Sequence, residues 1–147
     1  MRDIIFRGKS TKTGEWIKGY YIHFQDNLRN REAHRISDGY ADSMPEGDGY
    51  DFCAGFEDIN PETLGQFTGV YDNKGVPIYE GDIVRYRWTD ERYKRNQKFY
   101  IGEVEWNEWE AGWGLKHCMN VSFRSARLEV VGNIHDNPDY PELRKRF

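Results

Sequence analysis

Short apolar runs separated by glycine-containing turns constrain this chain more than any other feature of its sequence. The turn sequence DNKG (72–75) separates the runs 66–71 and 76–79, and a second turn, EGD (80–82), leads into the run 83–88. A turn of this kind is a strong hairpin signal, because its glycine adopts positive φ without steric cost. The spacing predicts antiparallel strands rather than helices.

Apolar and polar residues alternate within these runs. Val84, Tyr86 and Trp88 fall on one face of the run 83–88, and Ile83, Arg85 and Arg87 fall on the other. The runs 100–106 and 128–134 are similar in length and β-branched or aromatic content. Four or five short strands of this kind predict a small SH3-like β-barrel as the core of the fold.

A β-hairpin is predicted near the N-terminus, where the runs 4–7 and 15–22 flank a turn that contains Gly14. Asn60-Pro61-Glu62 has the signals of a helix start, and Gly65 would end that helix after one turn. The predicted class is therefore mainly β, in a single domain. Its parts are an N-terminal hairpin region (1–35), an acidic loop or insertion (36–62), a β-barrel core (63–137) and a C-terminal tail (138–147).

The aromatic content supports a sheet. The chain has five Trp, ten Tyr and eight Phe against five Leu and five Ala, whereas a helix-bundle core would be rich in Leu and Ala. A small core rarely accommodates so many rings. Some of them are therefore expected to line a surface, a groove or a partner interface.

Charge is segregated along the chain, although its net value is only −4. Residues 36–62 contain eight acidic residues and no Lys or Arg, whereas 85–98 contains six basic residues and two acidic ones. Two interpretations stay open: the blocks pair across the fold or a subunit interface, or the basic block contacts nucleic acid. We favour pairing, because a pI near 5.6 is unlike that of a typical duplex-binding domain.

Catalytic and metal motifs are not recognisable in the sequence. Cys53 and Cys118 lie far apart without a CxxC spacing, which indicates a reducing cytosol and predicts no disulfide, no metal site and no cofactor. His135-Asp136 beside Asn133 is the least weak catalytic grouping, but a histidine after a strand is more often a turn residue. We therefore predict no catalytic residue.

Two segments are candidates for binding. The first mixes cations with rings, which suits single-stranded nucleic acid or a protein partner, and its candidate contacts are Arg85, Arg87, Arg92, Tyr93, Lys94, Arg95 and Lys98. The second is a tryptophan strip flanked by acidic residues, which is typical of protein interfaces. Its candidate interface residues are Trp106, Trp109 and Trp113.

Three blocks of the sequence resemble the YopX family of phage and prophage proteins. They are the opening MRDIIFR (1–7), the stretch TLGQFTGVYDNKGVPIYEGDIV (63–84) and the close EVVGNIHDNP (129–138), and they bracket nearly the whole chain. The regions 23–58 and 88–98 diverge. The resemblance implies a β-rich, phage-encoded protein in the cytoplasm of a bacterial host, capable of forming oligomers. It implies no activity, substrate or catalytic residue.

The sequence thus predicts a noncatalytic accessory protein that acts by binding. Protein–protein interaction or self-assembly is the favoured mode, with a homo-oligomer expected and a host or phage protein as a further partner. Single-stranded nucleic-acid binding through 85–98 is the alternative, and an enzyme of unknown class is a second one. No apolar run approaches the ~20 residues that span a bilayer, so we expect neither a membrane anchor nor secretion.

Overall fold

The computed structural model describes residues 3–38, 55–88, 98–116, 123 and 128–140, in two compact units, 1–66 and 67–147. The prediction of a mainly β fold is confirmed, because the described residues form nine strands. They are β1 (Phe6–Ser10), β2 (Trp16–Asp26), β3 (Arg31–Ser37), β4 (Phe56–Tyr71), β5 (Pro77–Tyr79), β6 (Asp82–Trp88), β7 (Lys98–Asn107), β8 (Gly112–Leu115) and β9 (Leu128–Asn133).

The first unit contains a small closed barrel. Its strands pair in the order β1-β2-β3-β4, and an additional antiparallel pairing of β1 with β4 closes the ring. A small barrel was expected over 63–137, but the closed ring lies in the N-terminal half of the chain. The reason is the length of β4, which provides pairing edges for both β1 and β3. The structure does not confirm an SH3-like arrangement.

The predicted N-terminal hairpin is confirmed by the antiparallel pairing of β1 with β2. Gly14 has φ of 73°, and its N–H donates to the carbonyl of Ser10 at 2.9 Å. This is the left-handed conformation for which the glycine was predicted.

A second hairpin joins β2 to β3 and was not predicted. Its turn, 27–30, follows Asp26, whose Oδ1 accepts hydrogen bonds from the N–H groups of Leu28 and Arg29, both at 3.2 Å. Asn30 completes the turn with φ of 47°, a conformation that asparagine tolerates better than most residues. The register places His23 opposite His34 and Gln25 opposite Glu32.

The predicted helical turn at 60–65 is wrong, because these residues lie within β4. The local signals act there in a different way: Asn60 Oδ1 accepts from the N–H of Glu62 at 3.1 Å, and Thr63 Oγ1 donates to the Asn60 carbonyl at 2.7 Å. These bonds tighten an irregularity at which the β1–β4 register shifts. The N–H of Lys9 donates to Thr63 Oγ1 at 2.8 Å, so the irregular segment stays attached to the sheet.

The predicted acidic loop is described only at its ends. Residues 36–37 belong to β3 and 56–62 to β4, whereas 39–54 lie outside the described residues. Asp58 forms ion pairs with Arg35, at 2.5 Å, and with Arg31, at 3.3 Å. The hydrogen bond from Arg35 is the main reason why the pKa of Asp58 lies below its usual value. At this position the acidic segment pairs with arginines of the N-terminal hairpin region.

The second unit contains the DNKG hairpin and a four-stranded sheet of order β8-β7-β6-β9. Gly75 in the hairpin turn has φ of 81°, as its sequence predicts. The predicted alternation in β6 is also observed, because Val84 and Tyr86 are buried in the main core while Arg85 and Arg87 are not. The main core cluster contains Ile78, Val84, Tyr86, Val104, Leu115 and Leu128.

A smaller core covers the opposite face of β6. It consists of Ile83, Ile101 and Tyr140, with Ile134 packed against them. Tyr140 belongs to the segment predicted as a C-terminal tail, yet it is buried.

Candidate functional site

The β7–β8 hairpin carries all three predicted tryptophans, and we call residues 104–115 the tryptophan hairpin. Trp106 and Trp113 are cross-strand neighbours whose rings meet edge to face, with centroids 5.3 Å apart and planes at 80°. Trp113 packs against the main core, whereas Trp106 is 45% exposed. Edge-to-face packing is a favoured geometry for aromatic rings. The pair therefore connects a ring on the core with a ring at the surface.

Trp109 lies at the tip of this hairpin and is 98% exposed. Its position is defined by the turn, because Asn107 Oδ1 accepts hydrogen bonds from the N–H groups of Trp109, at 2.9 Å, and Glu110, at 3.3 Å. Ala111 then takes φ of 47° as the chain turns back into β8. Glu108 and Glu110, which adjoin Trp109 in the sequence, are exposed as well. The hairpin thus presents a large apolar ring on a hydrogen-bonded turn with an acidic surround.

The basic segment is described only in part. Residues 92–95 lie outside the described residues, and Lys98 is described as a backbone position in β7. The structure brings Arg85 and Arg87 to the same ring: their guanidinium carbons lie 5.3 and 5.7 Å from the centroid of Phe99. These are cation–π distances.

Arg85 differs from Arg87 in having an acidic partner. Its Nε donates to Glu129 Oε2 at 3.2 Å and its Nη2 donates to the same oxygen, while Lys74 Nζ lies 2.6 Å from Glu129 Oε1. The hydrogen bonds from Lys74 and Arg85 hold the pKa of Glu129 below its usual value. Much of the charge of Arg85 is therefore neutralised by β9, whereas Arg87 is exposed.

A group of possible metal ligands lies on the unpredicted β2–β3 hairpin. His23, Glu32 and His34 each offer one ligand atom, and these atoms lie within 4.8 Å of one another. The sequence showed no motif here, because the two histidines are neighbours only after β2 and β3 pair in this register. The available signal was the turn-forming sequence DNLRN (26–30) between two histidine-containing runs.

His135 and Asp136 beside Asn133, the least weak catalytic grouping in the sequence, form a turn. Asn133 Oδ1 accepts hydrogen bonds from the N–H groups of His135, at 3.0 Å, and Asp136, at 2.9 Å. Asn133 Nδ2 also donates to Asp136 Oδ2 at 2.8 Å. These contacts account for the sequence Asn-Ile-His-Asp as a capped turn after β9.

A family model for the YopX protein matches residues 5–140, nearly the whole chain. The chain belongs to the YopX family. The resemblance predicted from the three sequence blocks is thereby confirmed. No curated protein matches this member of the YopX family.

One solved structure similar to this YopX family member is the crystal structure of protein EF1440 from Enterococcus faecalis. The TM-score is 0.56 at 20% sequence identity, and the match covers 95% of this chain and 99% of the other. At that identity the likeness supports the fold alone. Within its described residues, the YopX chain has no helix that is long and apolar enough to cross a membrane.

Proposed function

We propose that this YopX family protein is a noncatalytic accessory protein of a phage or prophage, acting through protein–protein contact in the cytoplasm of a bacterial host. Self-assembly is the favoured form of that contact. The observation that carries the proposal is Trp109, 98% exposed at the tip of the tryptophan hairpin. Membership of the YopX family supports the phage setting, because resemblance to that family implies a phage-encoded protein.

Tryptophan is enriched among the residues that dominate binding energy at protein interfaces. Trp109 is held on a turn by the side chain of Asn107, so little conformational entropy of the backbone is lost when a partner covers it. Trp106, on the same hairpin, is 45% exposed and adds a second accessible aromatic ring. The tryptophan hairpin therefore combines an aromatic anchor with preorganisation.

The acidic surround selects the partner surface. Glu108 and Glu110 flank the exposed indole, which favours an apolar pocket with a basic rim. The same chain has a basic segment at 85–98, so two copies offer complementary charges. We therefore favour contact between the tryptophan hairpin of one copy and a basic surface of another.

The test is the assembly state of wild type and Trp109→Ala, measured by sedimentation equilibrium from low to high micromolar concentration. We expect wild type to associate and Trp109→Ala to weaken association by roughly 30-fold or more, the ~2 kcal/mol of an interface hot spot. Leu28→Ala is the matched control, because Leu28 is 99% exposed but lies on the β2–β3 turn. A monomeric wild type, or equal weakening by both variants, would contradict self-assembly through this hairpin.

Single-stranded nucleic-acid binding is the second candidate, and the observation that favours it is the pairing of exposed Arg87 with the ring of Phe99. Cations beside rings suit phosphates and stacked bases. The test is fluorescence anisotropy of a labelled oligothymidylate over a salt series. We expect Arg87→Glu to weaken salt-dependent binding and Lys12→Glu, at an exposed position of the first unit, to leave it unchanged. Absence of salt-dependent binding by wild type would exclude this candidate.

A further inference from the structure

The β2–β3 hairpin brings two imidazoles and a carboxylate together. His23 and His34 are directly opposite in the register, and their rings stack with centroids 4.4 Å apart and planes at 8°. Glu32 lies on the same face, two positions along β3 from His34. Its Oε2 is 3.7 Å from His23 Nε2 and 3.9 Å from His34 Nε2.

These separations are too long for hydrogen bonds and close to those of a metal site. A charge-assisted N–H···O bond is about 2.7–2.9 Å long. Ligand atoms at ~2.0–2.1 Å from a tetrahedral ion stand roughly 3.3–3.5 Å apart. Ligation requires the two stacked imidazoles to rotate so that both Nε2 atoms face one ion, and it requires Glu32 to follow. The side chains of His23 and Glu32 are 49% and 68% exposed, which leaves both of them room to adjust.

We propose that His23, Glu32 and His34 bind one divalent transition-metal ion, Zn²⁺ in the cell, with water as the fourth ligand. Two imidazoles and a carboxylate form a donor set that suits Zn²⁺ and leaves one tetrahedral position open. The bound ion links β2 to β3 near the end of their hairpin. No part of the tryptophan hairpin contributes a ligand.

Tyr21 completes the site as a positioning residue. Its hydroxyl lies 2.6 Å from His34 Nδ1 and thereby leaves Nε2 of the same ring free to face Glu32. In the metal-bound form Nδ1–H donates to the Tyr21 oxygen, which fixes both the tautomer and the orientation of the imidazole. The ring centroids of Tyr21 and Phe6 lie 5.4 Å apart. This packing holds the Tyr21 side chain, and with it the hydroxyl that orients His34.

The test is a calorimetric titration of the full chain with Zn²⁺ at pH 7.5, after tag removal and chelator treatment and with a non-chelating reductant. We expect wild type to bind one ion at this site and His23→Ala or His34→Ala to remove that binding. Glu32→Gln replaces a charged ligand with a neutral amide and should weaken binding by more than tenfold, whereas Tyr21→Phe should weaken it by roughly tenfold, as outer-shell changes do. His135→Ala is the matched control, because it removes an imidazole from the turn after β9.

Zinc-induced shifts of backbone amide resonances, measured by NMR, show where the ion binds. They therefore distinguish this site from zinc bound by the cysteines or by the other histidines of the chain. We expect the largest shifts at 22–24 and 32–35 in wild type and none there in His34→Ala. Should an alanine variant fail to fold by circular dichroism, His23→Gln replaces it. Zinc binding that persists in the variants, shifts confined to other residues, or no binding by wild type would each overturn the site.

Discussion

The buried carboxylate of Asp72 accepts a hydrogen bond from the backbone N–H of Val130, with Oδ2 and N 3.0 Å apart. Its other oxygen accepts from the N–H groups of Lys74, at 2.8 Å, and Val76, at 2.9 Å. One side chain therefore stabilises the DNKG turn and attaches it to β9. The N–H of Asn73 donates to the Leu128 carbonyl at 3.0 Å and reinforces the same link.

Replacing Asp72 with asparagine should destabilise the protein. The amide oxygen of asparagine can accept either from the N–H groups of Lys74 and Val76 or from that of Val130. The NH₂ group then faces the remaining backbone N–H, which has lost its acceptor. Leaving a buried donor unsatisfied costs about 1–3 kcal/mol, and we expect a loss of unfolding free energy in that range in urea. Asp139→Asn, at an exposed position, is the matched control and should be nearly neutral. Equal stability of the two variants would contradict this role of Asp72.

Stability should fall as the solution is acidified. Burial opposes ionisation of Asp72, but the three backbone N–H donors outweigh it and lower its pKa. A carboxyl whose pKa is lower in the folded state binds fewer protons there than in the unfolded chain. Its contribution is therefore complete above the unfolded pKa, about 3.9 for Asp, and is lost as the pH falls through the lowered folded value.

The measurement is the urea unfolding free energy between pH 6 and pH 2.5. We expect a decline below about pH 4 in wild type and a smaller decline in Asp72→Asn, with Asp58 and Glu129 contributing the remainder. Identical pH profiles for wild type and Asp72→Asn would contradict this prediction, because they would mean that the pKa of Asp72 is the same in the folded and unfolded chain.

Gly19 is required for the close approach of β2 and β3. A Cβ at this position would lie 1.9 Å from the backbone oxygen of Ser37, which a strand within a closed barrel cannot move away to accommodate. We expect Gly19→Ala to lower the unfolding free energy by more than ~3 kcal/mol or to prevent folding, a severe loss for a single substitution. Gly114→Ala should be tolerated, because its Cβ would meet Asn107 at an ordinary 3.9 Å. Thermal unfolding of both variants decides the comparison.

Two tryptophans of the same hairpin should differ in their contribution to stability. Trp113 packs against the main core, whereas Trp109 is 98% exposed. We expect Trp113→Ala to cost roughly 2–3 kcal/mol, less than a fully buried tryptophan, and Trp109→Ala to stay within about 0.5 kcal/mol. Denaturant titration at a concentration where the protein is monomeric measures both. A large loss for Trp109→Ala would mean that its effect on assembly is a consequence of unfolding.

Local features of the fold could be predicted because their physical causes lie within a few residues. The turns at Gly14 and Gly75 follow from the tolerance of glycine for positive φ, which both residues adopt. The burial of Val84 and Tyr86 follows from the two-residue period of a strand. The interface role of the three tryptophans stays a prediction from composition and spacing, and only the structure separates exposed Trp109 from packed Trp113.

The sequence by itself determined the mainly β class, the sharp turns and the face of β6 that enters the main core, since each is specified by neighbouring residues. Tertiary structure alone decided that β4 runs through 60–65 as a strand, because pairing with β1 at both ends of this segment, at Asn60 and Gly65, prevails over a short helix start. It also decided that His23 stands opposite His34, and that Asp72 reaches Val130. Such contacts depend on the register between segments that are remote in sequence, and no local propensity encodes that register.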